Sequence, residues 1–242
     1  PDDYRVSGKS IQELILEVNG SFEGLNLTLD DVLYSYGGLR PLVESRAKET
    51  YRSSRKYEIH DNSIDGIEGL LTVEGGKWTT SRGLAEKTID RLREKFDISV
   101  GPSVSARQHL KGSEIRDMNA FLARMRSENR DFHGNTVECL GRLYGTECVK
   151  VLELARRENL LAEHLNSDGE LPAQVVYGVH YEMARTLKDM VLRRTGIATL
   201  GNPGKKSLLR VARVMARELN WDQERIFEEV ENTLAFLRVP FK

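Results

Sequence analysis

The residues best suited to chemistry are Gly75, Gly76 and Lys77, which stand between the apolar run GLLTVE and an amphipathic stretch opened by Thr79 and Thr80. The pattern predicts a buried strand, a turn and then a helix. A helix start exposes unpaired backbone N–H groups and the positive end of the helix dipole. Glycine admits a ligand to the backbone and lysine adds charge, so the turn suits an anion or an electron-rich ring oxygen. An ordinary strand–helix turn with a solvated lysine explains the same pattern.

Two arginines in the same part of the chain suit the same chemistry. Arg40 follows a Gly-Gly pair in YGGLRPLV, and Arg55 lies in the basic stretch SSRKY. Arginine forms bidentate pairs with phosphate or carboxylate. A surface salt bridge explains Arg40 as well, and a solvated basic loop explains Arg55. With Lys77, these side chains could converge on one phosphate group.

Metal and nucleotide sites find weaker support in the sequence. The histidines are scattered, and Cys139 and Cys148 form no Cys-x-x-Cys pair, so no metal site is predicted. The stretch TGIATLGNPGKKS fails as a phosphate-binding loop, because Thr199 and Lys206 stand where that motif needs glycine and a hydroxyl residue. A capped helix end followed by a turn explains that stretch better.

The bulk composition describes an ordinary globular chain. It has 242 residues, is 39% hydrophobic and carries a formal net charge of -1, so nothing global attracts nucleic acid or acidic lipid. Two cysteines are too few for a disulfide framework, which favours reduced thiols and an intracellular setting. The sequence contains no 18-residue apolar run and no targeting segment. Because it begins without methionine, we expect part of a longer protein.

The chain divides into a part with both strand and helix patterns and a part with helix patterns alone, which together predict an α+β fold. Residues 1–100 form the mixed part, residues 101–112 a linker, and residues 113–242 an all-helical domain. The mixed part is predicted to hold a helix over Ser10–Phe22 capped by Ser10, and strands over Val32–Tyr36, Tyr57–Asp61 and Gly69–Gly76.

The helical part is read from apolar spacing and capping residues. We expect a long helix over Leu171–Gly196, a helix ended by Asn220 and a last helix capped by Asp222. The basic segment Arg185–Arg217 leaves a second class of function open, a helical module that docks nucleic acid or protein. A solvated face with arginines pinned to neighbouring groups explains this segment better, and no nucleic-acid partner is predicted.

Several segments, in order, resemble the FAD-dependent glycerol-3-phosphate dehydrogenases. They are YGGLRPLV, SSRKYEI, GLLTVEGGKWTTSRGLAEKTID, AQVVYGVHYEMARTLKDMVLRRTGIA and VARVMARELNWD. The resemblance implies the end of a substrate-binding and FAD-binding domain followed by a helical C-terminal domain. It also implies oxidation of sn-glycerol 3-phosphate to dihydroxyacetone phosphate by hydride transfer to FAD.

The resemblance assigns roles to particular residues. Gly75, Gly76, Lys77, Trp78 and Thr79 would lie along the flavin, where a helix N-terminus stabilises negative charge. Arg40, Arg55 and Lys77 would hold the substrate phosphate, and no catalytic residue is assigned. Because the Gly-x-Gly-x-x-Gly fingerprint does not occur in the sequence, we expect this chain alone to bind FAD poorly and to be inactive.

Other properties stay open within the resemblance. Ser81 stands where many members have tyrosine, which affects the packing at the flavin edge. Quinone is the electron acceptor of the dehydrogenases, whereas an oxidase that shares these motifs uses oxygen. The resemblance also implies peripheral association of the intact enzyme with a membrane, on the cytoplasmic side or in mitochondria.

Overall fold

The computed structural model describes residues 5–38, 57–166 and 169–240. Their contacts divide them into two compact units. The hairpin unit consists of Gly38 and residues 57–109, and the helical unit consists of residues 5–37, 110–166 and 169–240. The predicted boundaries at 100 and 113 stay a prediction, and the contacts group residues 5–37 with the helices rather than with the strands.

The hairpin unit holds two antiparallel strands, β1 (Tyr57–Asp61) and β2 (Leu71–Gly75). Tyr57 pairs with Gly75 and Asp61 pairs with Leu71, so both predicted strands are confirmed. A 3-10 turn over Asn62–Asp65 follows β1. A second one, Trp78–Thr80, leads from β2 into helix α2 (Ser81–Phe96).

Lys95 ties α2 to the hairpin within this unit. Its Nζ lies 2.6 Å from a carboxylate oxygen of Asp61 and 3.6 Å from one of Glu68. The hydrogen bond from Lys95 holds the pKa of Asp61 well below its usual range, and the Ser63 N–H, 3.0 Å away, acts in the same direction. The pair therefore fixes the last turn of α2 beside the start of the 3-10 turn.

The helical unit is built from the remaining helices. These are α1 (Gly8–Ser21), α3 (Met118–Glu128), α4 (Gly134–Tyr144), α5 (Cys148–Arg157), α6 (Asn159–Ala162), α7 (Pro172–Tyr181), α8 (Leu187–Asp189), α9 (Lys205–Leu219) and α10 (Gln223–Phe236). Asn220 ends α9 in a left-handed conformation, and the Asp222 side chain accepts from the Arg225 N–H to cap α10. Both predicted helix ends are confirmed.

Two apolar clusters form the core of the helical unit, and α7 contributes to both. Val175 and Val179 face the cluster shared with α8, α9 and α10. Val176 and Tyr177 face the cluster shared with α3, α4 and α5. A helix that is apolar all round belongs in the centre of a bundle, and α7 takes that position here.

The long helix predicted over Leu171–Gly196 is wrong in its middle. The chain leaves helical geometry after Tyr181, Met183 adopts a positive φ of 60°, and Thr186 caps a new helix. This second helix begins as α8 and continues as a π-helical turn over Met190–Arg194. No glycine or proline marks the break, and the prediction overlooked the Thr186–Asp189 spacing that begins the second helix.

Two smaller expectations near the start of the chain are also corrected. Ser7 rather than Ser10 caps α1, because its hydroxyl accepts from the Ser10 N–H at 3.1 Å. A 3-10 turn occupies Leu29–Asp31, and Val32–Tyr36 forms no strand within residues 5–38, 57–166 and 169–240. An extended segment becomes a strand only when a neighbour completes its backbone hydrogen bonds.

Where the chain enters the helical unit, two glycines bring backbone against backbone. The Thr146 N–H donates to the Gly112 carbonyl at 3.0 Å, and a Cβ on Gly145 would overlap that oxygen. Beside them, Lys111 and Lys150 bond to Glu147 at 2.9 and 2.8 Å. These bonds lower the pKa of Glu147 to about 2.

No helix in the described ranges is long and apolar enough to cross a membrane.

Candidate functional site

The turn after β2 requires glycine at two consecutive positions. Gly75 and Gly76 have φ angles of 72° and 90°, in the region that side chains disfavour. A Cβ on Gly76 would lie 3.5 Å from Leu84 Cδ2 and 3.6 Å from Tyr57 Cβ, which is ordinary contact. The requirement is therefore conformational rather than spatial. It leaves two successive backbone units without the shielding of a side chain.

The helix start after these glycines is fixed by hydroxyl groups. Thr80 Oγ1 donates to the Lys77 carbonyl at 3.0 Å and accepts from the Lys77 N–H at 3.3 Å. Ser81 Oγ donates to the Trp78 carbonyl at 2.8 Å. The 3-10 turn and α2 thus begin at a defined place, with the positive end of the helix directed toward the glycine turn.

The side chains of this turn are exposed to solvent. Lys77 and Thr79 are exposed, and Trp78 is 95% exposed. A tryptophan usually buries most of its large apolar surface. Ile64 at 80% and Ile89 at 53% are further exposed apolar residues of this unit. The turn therefore offers an indole ring and an amine for contact with another group.

Lys77 differs from the other lysines near the hairpin. Lys87 Nζ lies 5.4 Å from the centre of the Tyr57 ring, and hydrogen bonding to Tyr57 raises the pKa of Lys87. Lys95 is bound to Asp61. Lys77 Nζ has no ion-pair partner among residues 57–109, so its charge is available to an anionic ligand.

The structure describes some of the predicted site residues and not others. Gly75, Gly76, Lys77, Trp78 and Thr79 lie together on one turn, as adjacent residues must, and their contact with a flavin stays a prediction. Arg40 and Arg55 lie outside the described residues. The convergence of the two arginines and Lys77 on one phosphate therefore also stays a prediction.

His60, to which no role was assigned from the sequence, pairs with Asp65 in the structure. His60 Nε2 lies 2.7 Å from the Asp65 carboxylate. This hydrogen bond raises the pKa of His60, and the charges of Glu74 and Asp61 add to it. In the described part of the chain, no three His, Cys, Asp or Glu side chains group closely enough to hold a metal ion.

Several cations of the basic segment in the helical unit are bound by local partners. Ion pairs at 2.7 Å join Arg193 to Asp189, Lys205 to Glu231 and Arg217 to Glu158. Arg194 Nε and Arg210 Nη1 donate to the carbonyls of Glu182 and Leu165, at 2.8 and 3.1 Å. These bound cations support the interpretation of the segment as a solvated face with arginines pinned to neighbouring groups.

Comparison with known proteins places this chain among relatives of one kind. The profile of the C-terminal domain of alpha-glycerophosphate oxidase matches residues 103–226. Glycerol-3-phosphate dehydrogenase of Synechocystis is 31% identical over 232 residues, which are 95% of this chain and 42% of that protein. The mitochondrial enzyme of Mus musculus is 32% identical over 214 residues, 86% of this chain and 28% of its own length.

A solved structure agrees with these sequence matches. It is the glycerol-3-phosphate dehydrogenase from Bacillus halodurans, complexed with FAD. It superposes with a TM-score of 0.78 at 28% identity and covers 97% of this chain and 45% of the solved one. The chain thus spans less than half the length of these relatives. It belongs to the FAD-dependent glycerol-3-phosphate dehydrogenase and oxidase family, of which it matches the C-terminal part.

Proposed function

We propose that this chain forms the C-terminal part of a flavin-dependent glycerol-3-phosphate dehydrogenase. The hairpin unit would complete the substrate-binding and FAD-binding domain, and the helical unit would be the C-terminal domain. The observation that carries the proposal is the glycine turn ending in an exposed Lys77 without an ion-pair partner in its unit, within a chain of this family. The reaction is oxidation of sn-glycerol 3-phosphate to dihydroxyacetone phosphate.

The turn suits one side of FAD. Gly75 and Gly76 expose backbone without a Cβ, Trp78 offers an exposed ring, and α2 begins beside them with the positive end of its dipole. Gly75, Gly76, Lys77, Trp78 and Thr79 would hold the flavin end of the cofactor. A bound flavin would accept the hydride that leaves the substrate alcohol carbon.

The phosphate of the substrate gives Lys77 its second role. A cation at the turn orients a phosphate dianion by a charge-assisted hydrogen bond, and Arg40 and Arg55 would add bidentate pairs. Because this contact exists in the ground state and in the transition state alike, its removal raises KM more than it lowers kcat.

A substitution at Lys77 tests the phosphate role. In the purified intact protein, glycerol 3-phosphate should bleach the flavin absorbance. The Lys77→Ala variant should raise KM for glycerol 3-phosphate by about 10- to 100-fold, the worth of one charged hydrogen bond. The KM for a phosphate-free diol should stay nearly unchanged.

The matched control removes an exposed lysine of the helical unit. Lys206→Ala changes the net charge equally and should leave both KM values as in the wild type. Equal rises for the phosphorylated and the phosphate-free substrate in Lys77→Ala would contradict the phosphate role. Absence of bleaching in the wild type would contradict the enzyme assignment itself.

The second candidate is an oxidase of the same family, favoured by the match to a domain of alpha-glycerophosphate oxidase. The two activities differ in the electron acceptor, which is a quinone or oxygen. Stoichiometric hydrogen peroxide with glycerol 3-phosphate in air would establish the oxidase, and turnover only with a quinone would establish the dehydrogenase. Peripheral membrane association stays a prediction, and the name of the mouse relative places that protein in mitochondria.

A further inference from the structure

Two lysines of α2 bind the two ends of strand β1 within the hairpin unit. Lys95 Nζ lies 2.6 Å from the Asp61 carboxylate at the end of β1, and Lys87 Nζ lies 5.4 Å from the centre of the Tyr57 ring at its start. The two lysines are about 12 Å apart along the helix axis, and Tyr57 and Asp61 are about 13 Å apart along the strand. Because these spacings match, α2 lies along β1 and is held by a lysine at each end of the strand.

The contact at Tyr57 lies directly beside the glycine turn. Tyr57 pairs with Gly75 in the antiparallel register. A Cβ on Gly76 would lie 3.6 Å from Tyr57 Cβ and 3.5 Å from Leu84 Cδ2, so Gly76 lies beside both β1 and α2. Leu84 and Lys87 are three residues apart and share one face of the helix. The turn therefore contacts both of the elements that Lys87 and Tyr57 join.

Apolar packing gives this turn little support, because no apolar residue of the described hairpin unit is buried. A lysine over an aromatic ring is a directed attraction that joins the two elements where packing is weak. We propose that Tyr57 and Lys87 are positioning residues, which hold the Gly75–Gly76 turn and the positive end of α2 in place for the flavin. This inference rests on the proposed function, in which that turn holds the flavin end of FAD.

Removal of the Lys87 charge tests the inference at an exposed position, where Lys87→Met should fold. In the intact protein, we expect faster amide hydrogen exchange over residues 75–80, because the turn is released from β1. The dissociation constant of FAD should rise by about 3- to 10-fold, the worth of one cation–π contact, since a turn ordered before binding costs less to order. The flavin reduction potential should fall, because a displaced helix end stabilises negative charge on the flavin less well.

Arg91→Met is the matched control. Arg91 lies about one turn further along α2, is exposed and has no ion-pair or ring partner among residues 57–109. This variant loses the same charge from the same helix and keeps the contact between Lys87 and Tyr57. Its exchange over residues 75–80, FAD dissociation constant and flavin potential should therefore stay near the wild-type values. Equal values of all three in Lys87→Met and Arg91→Met would overturn the inference, and so would faster exchange with unchanged FAD binding.

Changes at Tyr57 test the contact from its other side. Tyr57→Ala should reproduce the effects of Lys87→Met, whereas Tyr57→Phe, which keeps the ring, should bind FAD more tightly than Tyr57→Ala. Because the two side chains act through one contact, adding Lys87→Met to Tyr57→Ala should weaken FAD binding no further, and additive losses would overturn the inference. Failure of the proposed function is distinguishable: an intact wild type that binds no FAD would contradict that function, while exchange over residues 75–80 still reports whether Lys87 and Tyr57 hold the turn.

Discussion

At the scale of single residues, three lysines of similar sequence context differ in whether their side chains are bound by a neighbouring group. Lys77, Lys87 and Lys95 all lie within or next to α2, yet two of them are bound to the hairpin and one is not. The sequence predicted the turn around Lys77, because a Gly-Gly pair between a strand and a helix is a local signal. It gave no sign that Lys87 meets Tyr57, because that contact depends on how α2 packs on β1.

His60 provides a prediction on pH that follows from its partner. Since the hydrogen bond to Asp65 raises the pKa of His60, the protonated form is favoured in the folded state. The stabilising contribution is complete below the unfolded pKa of about 6.5 and is lost as the pH rises through the higher folded value. A histidine resonance followed by NMR should therefore titrate at lower pH in Asp65→Asn than in the wild type.

The same pair sets a limit on the size of that effect. Both side chains are half exposed, so salt screens the interaction and we expect a small difference in the free energy of unfolding. The difference between wild type and Asp65→Asn should shrink between pH 6 and pH 8. An unchanged His60 pKa in Asp65→Asn would show that the contact is absent in solution.

At the scale of elements, the break between α7 and α8 depends on a local capping pattern and on one distant contact. Thr186 and Asp189 form a capping box, in which Thr186 Oγ1 accepts from the Asp189 N–H at 3.1 Å and Asp189 accepts from the Thr186 N–H at 3.0 Å. This spacing was available as a signal for a new helix start. A third hydrogen bond at this helix start could not be predicted, because its acceptor lies far away in the sequence. The Glu229 carboxylate of α10 accepts from the Leu187 N–H at 2.7 Å.

Glu229 should therefore contribute to stability far more than its neighbour on α10. It is buried and also pairs with Arg225, whereas Glu228 is exposed and lies 3.6 Å from the same arginine. Glu229→Ala leaves the buried Leu187 N–H without its acceptor, so we expect a loss of about 2–3 kcal/mol in the free energy of unfolding. Urea unfolding of both variants measures it, and Glu228→Ala should lose less than about 0.5 kcal/mol.

Elements with strong local signals agreed with their prediction, and those fixed by distant contacts did not. Strand β2, the end of α9 at Asn220 and the cap of α10 at Asp222 follow from short-range patterns. Val32–Tyr36 has the composition of a strand, but its conformation depends on what lies beside it. For the candidate site, the turn at Gly75–Thr79 was predictable from its glycine pair, whereas the convergence of Arg40 and Arg55 on Lys77 stays a prediction.

At the scale of the whole molecule, the two units differ in how they are stabilised. The helical unit has two buried apolar clusters that share α7. In the hairpin unit, no described apolar residue is buried, and Trp78, Ile64, Ile67 and Ile89 are all more than half exposed. Since apolar burial is the main favourable term in folding, the hairpin unit has little of its own to hold it together.

Hydrogen exchange of a polypeptide of these 242 residues should reveal that difference. Amides of α7 and α9 should exchange only on global unfolding, whereas those of β1, β2 and α2 should exchange through local opening, about 1000-fold faster. If the hairpin unit completes a flavin domain in the intact protein, as proposed, the rest of that domain should cover its exposed apolar residues and slow these amides while leaving α7 and α9 unchanged. Equal protection of β2 and α7 in the 242-residue polypeptide would contradict this account, because it would require a source of stability that the hairpin unit does not contain.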